Sequence, residues 1–159
     1  MTQWQTNSTF KRAKVLAIAS GGGHWVQLMR IRPAFAESET VYATVWEGYK
    51  ADVGDSKFVV IPKGDRWSKI GLLRSFLAIF RLIVQERPDV VVTTGAAPGY
   101  FAVRIGKLLG ARTLWLDSVA NAEELSLSGR KAGRHVDLWL TQWPHLARSN
   151  GPVFRGSVL

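Results

Sequence analysis

The pattern that most constrains the fold occurs twice. "KVLAIA" (residues 14–19) is a short apolar run that breaks into "SGGGHW" before helix-like spacing begins. "DVVVTTG" (89–95) breaks in the same way into "AAPGYF". Apolar runs this short, without polar alternation, read as strands buried on both faces of a parallel sheet. The glycines then turn the chain into a helix.

The rest of the chain continues the alternation. Trp25, Leu28, Met29 and Ile31 or Arg32 sketch a short helix that must stop near Pro33. "TVYATVWE" and "SKFVVIP" are rich in β-branched and aromatic residues and read as strands. "SKIGLLRSFLAIFRLIVQERP" reads as a long helix ending at Arg87, before Pro88. "APGYFAVRIGKLLG" reads as a helix closed by Gly110. "ARTLWLDS" and "HVDLWLTQ" read as further strands, the second as the last, with a short helical turn over 144–148. This order predicts an α/β fold, a Rossmann-like doubly wound, mostly parallel sheet. One domain is expected over residues 14–159, after a flexible N-terminus at 1–13.

Composition narrows the partners. The chain has 159 residues, no cysteine and a formal net charge of +9, with a pI near 10.4. Disulfides and thiolate zinc sites are therefore unavailable. Such a basic balance favours anionic partners: nucleic acid, acidic membrane or phosphorylated ligands. The first apolar run is too short for a signal-peptide core, and no segment offers the roughly 18 apolar residues of a membrane span. The expectation is a soluble or membrane-peripheral protein.

In parallel α/β sheets ligands bind beyond the carboxyl ends of the strands. Ser20, Gly21, Gly22 and Gly23 leave the first strand, and Thr94, Gly95 and Gly99 leave the strand at Val90. Free amides and helix dipoles in two such loops suit phosphate, so the loops are expected to form facing halves of one anion cradle. The dinucleotide fingerprint is missing, because Trp25 and Val26 stand where its third glycine belongs. No Lys-Ser/Thr pair follows the glycines either, which excludes a P-loop. His24, at the exit of the first loop, is placed to accept a proton, to donate to a phosphate, or to cap the helix. His135 and His145 read as surface or locally hydrogen-bonded residues.

The long helix carries more apolar surface than one buried face requires. Leu73, Phe76, Leu77, Phe80 and Val84 are expected to face the core, yet Ile70, Leu72, Ile79 and Ile83 are apolar too. Lys63, Arg66, Lys69, Arg74 and Arg81 accompany them, and Trp67 stands where an aromatic suits a headgroup boundary. Such an element fits an anionic bilayer; the alternative is a core helix with solvated arginines. Further along, Asp117 and Ser118 end a strand on the ligand side, and Glu123 and Glu124 are expected to begin a helix. These acids could act as bases, bind sugar hydroxyls or favour a helix N-terminus. "LSGRKAG" adds Ser128 and Arg130, a hydroxyl and a cation able to grip phosphate.

Ser20, Gly22, Gly23 and His24, followed by "DSVANAEELSLSGRKAGRHVDLWLTQWP", resemble a known family. It is the membrane-side subunit of the two-part N-acetylglucosaminyltransferase acting on dolichol-diphosphate-N-acetylglucosamine, with its bacterial relatives in exopolysaccharide and capsule assembly. The Leu-Ser-Leu-Ser-Gly-Arg run and the Gln142-Trp143-Pro144 end carry the likeness, which extends from Lys14 to the C-terminus. Asp117 stands where the family has Glu, and Asn121 where it has Arg.

The resemblance implies the N-terminal, acceptor-side half of a GT-B glycosyltransferase, with the UDP-sugar bound mainly by a separate donor-binding subunit. A complete two-domain enzyme would need roughly twice this length. It implies a lipid-diphosphate-sugar acceptor, inverting transfer, and no metal or other cofactor. His24 is then a general base or diphosphate ligand, with Asp117 and Glu123 as further candidates. Phe154, Val158 and Leu159 are expected to engage the partner, and peripheral attachment is expected at the cytoplasmic face. The competing readings are a non-catalytic anchoring subunit of the same transferase, a nucleotide-binding oxidoreductase and a nucleic-acid binder. The missing fingerprint disfavours the oxidoreductase, and a basic helix without a polar, aromatic-lined groove disfavours nucleic acid.

Overall fold

The computed structural model describes residues 11–64 and 68–158. Seven strands, all parallel, form one sheet: β1 (Lys14–Ile18), β2 (Glu39–Thr44), β3 (Lys57–Val60), β4 (Val90–Thr93), β5 (Arg112–Leu116), β6 (Leu138–Thr141) and β7 (Val153–Phe154). Their spatial order is β3-β2-β1-β4-β5-β6-β7. The chain builds outward from β1 on one side, then returns to build outward from β4 on the other. The reversal therefore lies between β1 and β4, where Ile18 pairs with Thr93. Loops leaving these two strands diverge to opposite faces and open a crevice.

Helices α1 (Gly23–Ile31), α2 (Lys69–Glu86), α3 (Ala96–Leu108) and α4 (Leu127–Ala132) cover the sheet. Alternation along the strands divides the core in two. Leu16, Ile18 and Val91 point to the face packed by Ile79 and Ile83 of α2 and Val103 of α3. Ala17, Tyr42 and Val92 point to the face packed by Trp25 and Leu28 of α1.

Three local expectations change. HVDLWLTQ is not the last strand, because β7 adds Val153 and Phe154 beside Leu140 and Thr141. Glu123 and Glu124 do not begin a helix; they lie in bends, and α4 starts at Leu127 after the Ser126 side chain accepts from the Gly129 N–H. The phase of α2 is also rotated. Its buried stripe is Ser75, Ile79, Leu82, Ile83 and Glu86, whereas Leu73, Phe76, Leu77, Phe80 and Val84 are exposed. Two polar members hid that stripe from a hydrophobicity reading. Glu86 can be buried because Lys14 and Lys57 approach its carboxylate at 2.9 and 2.6 Å. At the far end Arg87 takes a left-handed conformation (φ 47°) and Pro88 ends the helix.

Candidate functional site

The two glycine loops lie side by side at the reversal. Gly22 (φ 66°) precedes α1 and Gly95 (φ 128°) precedes α3, both in backbone regions that disfavour a side chain. Neither helix start carries a side-chain cap, and neither has an acid in its first turn. The peripheral helices differ, since Ser68 caps α2 and Ser126 caps α4. The central pair thus keep their first-turn N–H groups free of side-chain acceptors, next to each other. Ala96, also at the start of α3, sits at φ 64°, a strained conformation for alanine.

His24 joins the loops. Its Nδ1 donates to the Thr94 carbonyl at 2.9 Å, and the Thr94 hydroxyl donates back to the His24 carbonyl at 2.6 Å. A carbonyl only accepts, so the bond keeps the proton on Nδ1 and leaves the Nε2 lone pair free in the neutral ring. Gly95 makes this approach possible, because a Cβ there would stand 2.9 Å from His24 Cε1. Beside the loops opens a cleft of about 500 Å³, lined by Ser20, Gly21, Trp46, Lys63 and Ala96–Pro98. Lys63 brings the cation and Ser20 the hydroxyl. An anion here would meet the start of α3 and a lysine, while His24, Gly22, Gly23 and Gly95 stand in the adjoining loops and not in the cleft lining.

Several sequence candidates lie elsewhere. Asp117 is only 2% exposed, and its oxygens accept from the N–H groups of Ser118 and Ser126 and the Asn121 amide. It holds the 118–126 loop, so its carboxylate is committed and not open to the cleft. Ser118 is buried between the Gln27 amide and the Ala120 N–H. Thr94 is buried and spends both of its groups on His24. Gly99 is a packing glycine, since a Cβ would collide with Thr93 of β4. Glu123 is exposed in its bend, Ser128 lies on α4, and Arg130 pairs with Glu124 at 2.8 Å. None of these lines the cleft.

Sequence reasoning passed over two groups. Tyr49 accepts from the Gly22 N–H at 2.8 Å and stacks on Trp25, which pins the first loop; no local signal marks it. Gln27 and Gln142 form a buried relay. Gln142 Nε2 donates to Gln27 Oε1 (2.5 Å) and to the Asp117 carbonyl (2.9 Å), and Gln27 Nε2 donates to Ser118 Oγ and the Gly23 carbonyl. The Gln142-Trp143-Pro144 motif was the only pointer to it.

Lys69, Ile70, Arg74 and Arg81 are exposed on α2, and Trp67 lies outside the described residues. Ile70 is 72% and Leu77 55% exposed, so the helix presents an apolar stripe edged by cations. No helix among the described residues is long and apolar enough to cross a membrane. Phe154 is partly exposed on edge strand β7. The Val158 N–H donates to Gln142 Oε1, and its carbonyl accepts from Arg30. Leu159 lies outside the described residues.

No protein-family model matches the chain. The fold is that of one half of a GT-B glycosyltransferase: MurG of Acinetobacter baumannii superposes with a TM-score of 0.71 at 14% identity, over 89% of this chain and 45% of that one. The UDP-N-acetylglucosamine 2-epimerase of Rickettsia bellii gives 0.70 at 12% identity, over 92% and 45%. In sequence, 79 residues are 33% identical to the UDP-N-acetylglucosamine transferase subunit ALG14 of Yarrowia lipolytica, covering 46% of this chain and 37% of that protein. The chain thus spans well under two-thirds of the relatives it matches. It is a Rossmann-like α/β domain whose fold matches one half of these larger proteins, and about half of its sequence is similar to part of the Yarrowia lipolytica transferase subunit.

Proposed function

We propose that the chain is the acceptor-side subunit of an inverting glycosyltransferase. It would bind a lipid-diphosphate-sugar at a membrane surface and work with a separate donor-binding subunit that holds the UDP-sugar. The observation that carries this reading is the pair of uncapped helix starts at the β1/β4 reversal, with His24 locked between them and Lys63 across the cleft. The acceptor diphosphate lies on the free amides and Lys63. The acceptor hydroxyl lies near His24. As that oxygen attacks the anomeric carbon, its proton passes to Nε2, the bond to UDP breaks, and configuration inverts. The Thr94 carbonyl faces the Nδ1–H throughout and favours the imidazolium that forms. No other cofactor is assigned.

The α2 face supports membrane docking. Ile70, Leu73, Leu77 and Phe80 would enter the interface, while Lys69, Arg74 and Arg81 meet anionic headgroups. Phe154 and the 154–159 tail are assigned to the donor-binding partner.

The test is sugar transfer to a lipid-diphosphate-monosaccharide by this chain, alone and with the donor-binding protein encoded beside it, across UDP-sugars. Activity is expected only with both. His24→Ala, in a complex that still forms, is expected to lower kcat by about 10²–10⁴-fold. Wild-type turnover in that variant would leave an anchoring role.

A further inference from the structure

The cleft holds one group that the phosphate cradle does not explain, the indole of Trp46. It follows β2, the strand beside β1, and so reaches the cleft from the side opposite Ala96–Pro98. It is 59% exposed. A large apolar ring left in water forgoes burial that folding would otherwise use.

The ring is nevertheless held firmly. Its six-membered part rests against Gly48, where a Cβ would come within 2.6–2.8 Å of the indole carbons. Tyr49 meets it edge-on at 4.7 Å between centroids. Tyr49 itself stacks on buried Trp25 at 5.0 Å and accepts the Gly22 N–H. The chain of contacts thus ties an exposed indole to the glycine loop and the core. An aromatic that is rigid, exposed and beside an anion cradle is preorganised for a ligand with an apolar face, at little entropic cost.

Given the acceptor reading above, on which this inference rests, we infer that Trp46 is the platform for the acceptor sugar. A pyranose joined to a diphosphate must lie at the edge of whatever holds the phosphates. Its C–H face would pack on the indole while its hydroxyls stay in the open part of the cleft, towards Ser20. The ring would thereby distinguish a glycosylated lipid diphosphate from a bare one.

The experiment measures calorimetric binding of farnesyl diphosphate and of N-acetylglucosaminyl-diphosphoryl-farnesol to the full chain. Wild type, Trp46→Ala and Trp46→Phe are compared, with thermal midpoints as folding controls. Trp46→Ala is expected to lose roughly tenfold affinity for the glycosylated ligand and less than twofold for the bare diphosphate, with Phe restoring most of the loss. Equal losses for both ligands, or no loss for either, would overturn the platform. If the wild-type chain binds neither ligand, the acceptor cradle itself fails, a result distinct from a selective failure of Trp46.

Discussion

The state of the His24 ring is set by what surrounds it. The Thr94 carbonyl sets the tautomer, and Gly95 leaves room for the imidazole. A methyl at position 95 faces both a φ of 128° and a ring carbon at 2.9 Å. Gly95→Ala is therefore expected to cost about 1–3 kcal/mol of stability and to displace His24. Gly110 provides the control, with φ 89° and no atom within 4 Å of its would-be Cβ. Denaturant unfolding should show a larger loss for Gly95→Ala than for Gly110→Ala, and only the former should impair transfer. Equal losses would mean that backbone strain alone explains Gly95.

The α2 helix has two faces with different physics. Inward, Glu86 is buried against two lysines. Burial pushes its pKa up, but the hydrogen bonds and charges of Lys57 and Lys14 outweigh this and hold it below the ordinary value of 4.5. A depressed pKa contributes stability that is complete above the unfolded value and is lost as pH falls through the folded one. Glu86→Gln is thus expected to cost about 1–3 kcal/mol at neutral pH, with the gap to wild type closing below about pH 4. A gap independent of pH would discard the ion-pair account. Outward, Leu77 touches solvent over 55% of its surface. Leu77→Glu should leave the unfolding midpoint within the range of ordinary surface changes, about 0.5 kcal/mol, and weaken cosedimentation with anionic vesicles. Unchanged vesicle binding would remove α2 as the membrane face.

Across the whole molecule, the Gln27–Gln142 relay connects β6, the loop after β5, the start of α1 and the C-terminal tail. Gln142→Ala would leave the Asp117 carbonyl and the Val158 N–H short of partners, while the Gln27 amide oxygen keeps only the Val119 N–H. The expected cost is about 2–4 kcal/mol in denaturant unfolding, and a loss below 0.5 kcal/mol would show that water replaces the side chain freely. Much of this architecture was legible along the chain. Short apolar runs, the glycine breaks after Ala19 and Thr94, and the stop at Pro88 are local features, and local backbone preference is enough to order strands and helices. The adjacency of the two glycine loops was legible for the same reason, since glycine loops after parallel strands must emerge at one sheet edge. The phase of α2 was not, because Glu86 is buried only once Lys14 and Lys57 arrive from β1 and β3, and Ser75 only where Gly64 of the loop after β3 packs on it. Nor was the fate of Asp117, whose oxygens are committed to N–H groups up to nine residues away, or the place of Trp46 and Lys63 at the cleft. By itself the sequence determined the order of elements and the sheet edge where both glycine loops emerge, because both follow from neighbouring residues. Only the tertiary structure decided which side chains remain free at that edge, because burial and hydrogen-bond saturation depend on residues far apart in the chain.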